Sequence, residues 1–238
     1  MSSVERQRLG AVEVLRLNRP RRRNAMDSAL LGELLGALEE LSADETLGAL
    51  IFSTTSERAL CAGADVSEQL DRAGGVARME AFARLYAAIE SFPAPTIAVC
   101  VGNCVGAGAE LAAGCDLRVG GDNLRLAWAG ARMGVPVGPA RLIPLTGLAT
   151  AKDLVLTGRT IGMAEARALG LLHRTAPATE AEAAALALAH EVTVHAPEGV
   201  RALKALFREL TDSADHVARE NVLLVKAQRG GGGLKRSP

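Results

Sequence analysis

The sequence is poor in rings. Aromatic residues make up 3 % of its 238 positions, against 49 % for hydrophobic residues overall. The core must therefore be built from Ala, Leu and Val, which favours close-packed helices over an aromatic-rich binding surface. Neither charge is in excess, with 27 Lys and Arg against 27 Asp and Glu. Arg21, Arg22 and Arg23 form a short basic run, but no long basic stripe with interleaved aromatics follows it, which argues against a nucleic-acid partner. No apolar run reaches the roughly 18 residues that a membrane span requires, and the stretch Met1 to Gly10 is polar and charged. No membrane partner is expected, and the cytoplasm is the expected compartment. The four cysteines (Cys61, Cys100, Cys104 and Cys115) lack the paired spacing of structural zinc sites and sit among apolar or small residues, so they read as reduced core thiols with no metal. All four histidines (His173, His190, His195 and His216) fall in the final third, and their placement gives no support to a histidine-based hydrolytic triad.

What is present is a chain long enough for one large domain, or a domain with a smaller appendage. Val12, Val14, Leu15 and Leu17 form a short strand-like run that ends at the turn signal Asn18-Arg19-Pro20. The segment Asn24 to Leu41 reads as a helix, with Asp27 or Ser28 able to cap it. Two compact apolar runs, Leu47 to Ser53 and Thr96 to Val101, suit buried strands. A helix is expected over Gly74 to Ser91, stopped by Pro93 and Pro95. Further helices are expected at Ala151 to Leu156, Met163 to Leu169, Glu180 to His195, Pro197 to Leu210 and Ala214 to Gln228. The Gly-rich tail Arg229 to Pro238 is expected to be mobile. A boundary near Pro177 divides residues 1-177 from a helical region at 178-238.

The most informative stretch runs from Gly106 to Cys115, which contains Gly, Ala, Leu and one Glu. A strand ending at Gly102, a glycine turn and a helix starting near Gly106 leave the first N–H groups of that helix without internal partners. The helix dipole adds partial positive charge there, so a developing oxyanion is their natural ligand. Ala107 is small enough to let a substrate approach. Glu110, three positions later, lies on the same helical face. A lone carboxylate among alanines needs either a chemical task or a paired structural partner, with Arg118 or an arginine of a neighbouring subunit as candidates for the pair. Gly102, Gly106 and Gly108 do not reproduce the Gly-x-Gly-x-x-Gly spacing of a dinucleotide site.

Several blocks match in order over nearly the whole length: Leu17-Asn18-Arg19-Pro20 with Asn24-Ala25, Cys61-Ala62-Gly63-Ala64-Asp65, Gly106-Ala107-Gly108-Ala109-Glu110-Leu111, Cys115-Asp116-Leu117-Arg118 and Leu156-Thr157-Gly158-Arg159. By these the chain resembles the enoyl-CoA hydratase/isomerase, or crotonase, superfamily. The resemblance implies an α/β fold, a spiral of β-β-α units with a C-terminal helical region that mediates trimers or dimers of trimers. It implies an acyl-CoA thioester as substrate, its carbonyl held between the backbone N–H groups of Ala64 and Ala107, with Glu110 as acid/base. It further implies that Arg22 and Ala25, the segment with Ala62, Asp65 and Val66, and Gly106 and Gly130 line the substrate path. No cofactor is implied, because coenzyme A belongs to the substrate. Hydratases of the family carry a second glutamate, and the position that aligns with it here is Gly130. Hydration of a double bond suits two carboxylates. The resemblance thus leaves open an enoyl-CoA hydratase, an isomerase or other enolate chemistry without hydration, and a non-catalytic acyl-CoA-binding protein.

Overall fold

In the computed structural model, which describes residues 2–232 and 234, the chain winds as a spiral of β-β-α turns, of which the first puts both strands in the larger of two sheets and the next three put one strand in each. The first turn holds β1 (Val4–Leu9), β2 (Val12–Leu17) and α1 (Ser28–Ser42). The second holds β3 (Ala49–Thr54), β4 (Ala59–Cys61) and α2 (Arg72–Glu90). The third holds β5 (Thr96–Cys100), β6 (Asn103–Val105) and α3 (Ala107–Gly114). The fourth holds β7 (Leu117–Gly121), β8 (Arg125–Ala127), α4 (Gly130–Met133), α5 (Pro139–Thr146), α6 (Leu148–Thr157) and α7 (Met163–Ala168). The large sheet runs β1-β2-β3-β5-β7-β9, where β9 is Arg174–Ala176, and the small sheet runs β4-β6-β8. Among the described strands, β1 and β2 pair antiparallel, and the other strand pairs are parallel.

The large sheet is buried on both faces, which is why its central strands are continuous apolar runs. Alternation along the strands sends Val14, Ile51, Ile97 and Val99 to one face, where α8 (Ala181–Thr193) covers them with Ala181, Ala185, Leu188 and Ala189. Leu15, Leu17, Leu50 and Phe52 go to the other face, into the core shared with α1 and α2. Beyond α8, α9 (Pro197–Leu210) is held by Lys204, whose ammonium donates to Asp116 at 2.6 Å and to the carbonyl of Ala94 at 3.0 Å. α10 (Ser213–Arg229) returns to pack on α2 and α5.

Several expectations shift. The polar N-terminus forms β1, because its outward residues are charged while Val4 packs on the core. The first helix begins at Ser28 rather than Asn24. Asn24 has φ +54° and its buried amide donates to Thr54 Oγ1 and to the carbonyls of Ala59 and Leu60, which ties the turn to β4. Asp27 caps α1 by accepting from the Leu30 N–H at 2.9 Å. The second long helix starts two residues early, where Asp71 accepts from the Gly74 N–H at 2.6 Å. The three-residue strands of the small sheet are too short to carry a periodicity, and they went unread. Of the tail expected to be mobile, residues 233 and 235–238 lie outside the described residues. Among the described residues, no helix is long and apolar enough to cross a membrane.

Candidate active site

The C-terminal ends of the small sheet's strands open onto a cavity of about 450 Å³, within the range of small-molecule sites. Ala62, Gly63, Ala64 and Val66 line it after β4, Gly106 and Ala107 after β6, and Ala129 and Gly130 after β8. Met79, Phe82 and Tyr86 of α2 and Leu224 of α10 close its apolar side.

Close approach of backbone to backbone brings the first two of these loops together. Gly63 and Gly106 both have positive φ, at +111° and +51°. A Cβ on Gly63 would meet the Val105 carbonyl oxygen at 3.2 Å, and one on Gly106 would lie 3.9 Å from the Gly63 Cα. Gly108 is tighter still, because a Cβ there would sit 2.2 Å from the Cys61 carbonyl oxygen. Only glycine lets α3 seat flush on the end of β4.

Two sets of free donors result. The loop after β4 pairs with Met26: the Met26 N–H donates to the Gly63 carbonyl and the Asp65 N–H to the Met26 carbonyl, each at 2.8 Å. Successive amides of an extended segment point to opposite sides. The Ala64 N–H therefore turns the other way, and among the described residues it has no acceptor. At α3 the first amide with an internal acceptor is that of Glu110, which donates to the Gly106 carbonyl at 2.9 Å. The amides of Ala107, Gly108 and Ala109 have none among the described residues, as expected of a helix start.

Glu110 is 1 % exposed and does not lie on the cavity wall. One turn past Ala107, its Oε2 accepts from Arg141 Nη1 at 3.1 Å, and the same nitrogen donates to Glu220 Oε1 at 2.5 Å. Arg141 comes from α5 and Glu220 from α10. The guanidinium also lies over the Tyr86 ring, 4.4 Å from its centroid. Burial pushes the Glu110 carboxyl up to about 8 against the pull of Arg141, and the charge of Glu220 adds to the rise. Burial likewise raises Tyr86 well above its ordinary value, with Glu110 contributing.

The buried partner of Glu110 is thus Arg141 and not Arg118. Arg118 is committed elsewhere, donating to the carbonyls of Leu171 at 2.7 Å, Ala112 at 3.2 Å and Cys115 at 2.6 Å. It satisfies the C-terminal carbonyls of the eight-residue α3, where a cation is favoured.

Of the other expected residues, Ala62, Ala64, Val66, Gly106, Ala107 and Gly130 share the cavity wall. Asp65, Arg22 and Ala25 do not. Asp65 accepts from Arg19 Nη1 at 3.1 Å and from Ser67 Oγ at 2.6 Å. Burial works to raise its pKa, but the hydrogen bonds from Ser67 and Arg19 prevail and hold it below the ordinary range. The Ala25 carbonyl accepts from Arg19 Nη1, and the side chain of the exposed Arg22 reaches, among the described residues, only Ser67 Oγ, at 3.5 Å. Gly130 leaves no room for a side chain, since a Cβ would meet the Val135 carbonyl at 2.7 Å and that of Val137 at 3.0 Å. Sequence reasoning missed Tyr86, Arg141 and Glu220. Each sits in an ordinary amphipathic helix, and nothing local marks it.

The chain matches the enoyl-CoA hydratase/isomerase family over residues 7–226. It belongs to that family. It is 38 % identical over 201 residues to the mitochondrial enoyl-CoA hydratase domain-containing protein 2 of Mus musculus, covering 81 % of this chain and 68 % of the mouse protein. A crystal structure of enoyl-CoA hydratase from Bacillus anthracis superposes with a TM-score of 0.83 at 25 % identity, covering 98 % of both chains. An enoyl-CoA hydratase/isomerase from Xanthobacter autotrophicus superposes with a TM-score of 0.88 at 23 % identity, over 98 % of this chain and 89 % of that one, a likeness of fold. The β-β-α spiral is thus the crotonase fold, as the sequence blocks implied.

Proposed function

We propose that this crotonase-family chain is an enoyl-CoA hydratase/isomerase-type enzyme that binds an acyl-CoA thioester in the 450 Å³ cavity and stabilises its enolate. The carbonyl oxygen sits between the amides of Ala64 and Ala107, and the observation that carries this reading is that both amides, at one cavity, lack acceptors among the described residues. Enolate charge develops on that oxygen, so donors aimed at it act more strongly on the transition state than on the substrate. In other oxyanion sites one such donor is worth about 2.7–4 kcal/mol. Glu110, one turn along α3, moves the proton at the carbon next to the thioester. Because Gly130 supplies no second acid, water has no carboxylate pair to activate it, and crotonyl-CoA hydration should be slow. The test is deuterium incorporation at C2 of an acyl-CoA in D2O, run beside crotonyl-CoA hydration and 3-enoyl-CoA isomerisation. Exchange that vanishes in Glu110→Gln supports the reading, and tight acyl-CoA binding without exchange at any pH contradicts it.

That second result would favour a non-catalytic acyl-CoA-binding protein. The specific observation on its side is the hold of Arg141 on Glu110, away from the cavity wall. The chain also assembles, in this reading, as a homotrimer or dimer of trimers. Leu203, Leu206, Phe207 and Leu210 leave an apolar stripe exposed on α9, at the spacing of one helical face. Light scattering of the purified chain reads the stoichiometry.

A further inference from the structure

Between α4 and α5 the chain runs as a strap, Gly134 to Gly138, with neither helix nor strand structure. Val135 and Val137 of this strap line the 450 Å³ cavity, and the same two residues line a second cavity of about 730 Å³. Pro139, Ile143, Leu156 and Leu223 give that second space a largely apolar far side. The strap is thus a partition one chain thick with room on both sides, and it lacks the two-sided packing that holds a core segment in place.

Its ends and its bonds allow it to move. Gly134 has φ +67° and Gly138 φ +119°, so the chain turns at each end through conformations that glycine reaches freely. Pro136 fixes its own φ and stiffens the three residues between. Among the described residues, one main-chain bond ties those three to the rest of the chain, from the Val135 N–H to the Gly130 carbonyl at 2.9 Å. The Val137 N–H turns back on the Val135 carbonyl at 3.0 Å. The strap's seat is Gly130 itself, where a Cβ would meet the carbonyls of Val135 and Val137.

The end of the strap lies against the acid. A Cβ on Gly138 would come 3.2 Å from Glu110 Oε1 and 3.1 Å from Trp128 Cδ1. Neither Glu110 Oε1 nor the buried Trp128 indole N–H has a hydrogen-bond partner among the described residues. Buried polar atoms left so are exceptions in a folded chain, and both of these adjoin the strap.

We infer that residues 134–138 are a hinged gate, which swings off Gly130 into the second cavity and opens Glu110 to a thioester bound in the first. This rests on the acyl-CoA reading above and supplies what that reading needs, a route from an acid off the cavity wall to C2 of the substrate. Arg141 and Glu220, on α5 and α10, keep their hold through Glu110 Oε2 while Oε1 faces the opening. A ligand shifts such an equilibrium only by binding one state better. Here the acyl group does so by taking the space that Val137 leaves in the first cavity.

The test pairs variants that hold the gate shut with one that wedges it open. Ile143→Trp, on the exposed side of α5, fills the space the strap must enter, and Leu223→Trp fills it from α10. Gly130→Ala sets a methyl against the strap's two carbonyls, 2.7 Å and 3.0 Å away. In the first arm, hydrogen exchange of the intact chain follows the strap, and carbodiimide labelling read by mass spectrometry follows Glu110. Strap amides should exchange at least about tenfold faster than those in the middle of α2. Both tryptophan variants should slow strap exchange and Glu110 labelling by about tenfold, and Gly130→Ala should speed both, with unfolding temperatures checking that each variant is folded. Strap exchange as slow as that of α2, or rates unmoved by both tryptophans, overturns the gate. In the second arm, C2 exchange of an acyl-CoA in D2O should lose about tenfold in kcat in Ile143→Trp, with KM within about twofold. An unchanged kcat there overturns the gate as well. Acyl-CoA binding without C2 exchange in the unaltered chain overturns the acid/base reading of Glu110 instead, and the first arm then decides the gate by itself.

Discussion

The loop Ala62–Val66 and the start of α3 meet through main chain alone, whereas one turn further on Glu110, Arg141 and Glu220 meet through charged side chains from three helices. The first arrangement is fixed by what is missing, the Cβ atoms of Gly63, Gly106 and Gly108. The second is fixed by where α5 and α10 happen to pack. The difference teaches why one half of the site tolerates no added atom while the other can be retuned by altering a single charge. A main-chain donor also keeps its hydrogen at every pH, whereas the carboxylate cluster changes character across the neutral range.

The harshest way to break the comparison is to add atoms to the main-chain half. Gly108→Val should fail to yield a stably folded chain, because the contact at 2.2 Å is with the Cys61 backbone and not with a movable side chain. Soluble yield and thermal unfolding check this. Next comes removal of a single hydrogen. Ala107 is the first residue of α3, where proline is tolerated, so Ala107→Pro should keep the fold and lower kcat by about 10²- to 10³-fold. An unchanged kcat with an unchanged unfolding temperature would break the account of the donors.

The charged half is sharpened by pH. A free glutamate titrates at 4.5, and Glu110 is raised to about 8 by burial. The folded state therefore holds a proton that the unfolded chain releases. That contribution to stability is whole below about 4.5 and is lost as pH rises through about 8. Glu110→Gln carries no such dependence, so its unfolding temperature should gain on the unaltered chain between pH 5 and pH 8.5, at about 2–4 °C per kcal/mol. Parallel curves for the two proteins would contradict the buried charge cluster. A smaller effect is expected at Asp65, which belongs to neither half. Asp65→Asn should cost about 1–2 kcal/mol in denaturant unfolding through the lost Arg19 pair, with kcat within about twofold. Arg22→Ala should move KM least, by under about twofold, since its guanidinium is exposed and weakly engaged.

How much was legible in the sequence follows the same division. The long apolar strands, the capped helices and the glycine-rich start of α3 announce themselves, because each is set by neighbours within a few residues. Glu110 stood out as a lone acid among alanines, and its setting called for either a chemical task or a paired partner. The partner itself was not legible. Arg118, nearer in sequence, turned out to cap the carbonyls of α3, while Arg141 came from a short helix that contains Pro144 and buries Arg141 beside Leu142. Glu220 lies 79 residues beyond Arg141, on a helix whose face is decided by packing on α2 and α5. The three-residue strands of the small sheet were unreadable for a related reason: parallel pairing across the spiral makes them strands, not their own composition.

The most direct test of the central claim is the carbonyl stretch of an acyl-CoA labelled with carbon-13 at the thioester carbonyl. Two amide donors from separate loops should polarise that bond. The stretch should move to clearly lower frequency on binding, and Ala107→Pro should return part of the shift while the ligand stays bound. A bound thioester whose carbonyl absorbs where it does in water, in both proteins, would contradict the account.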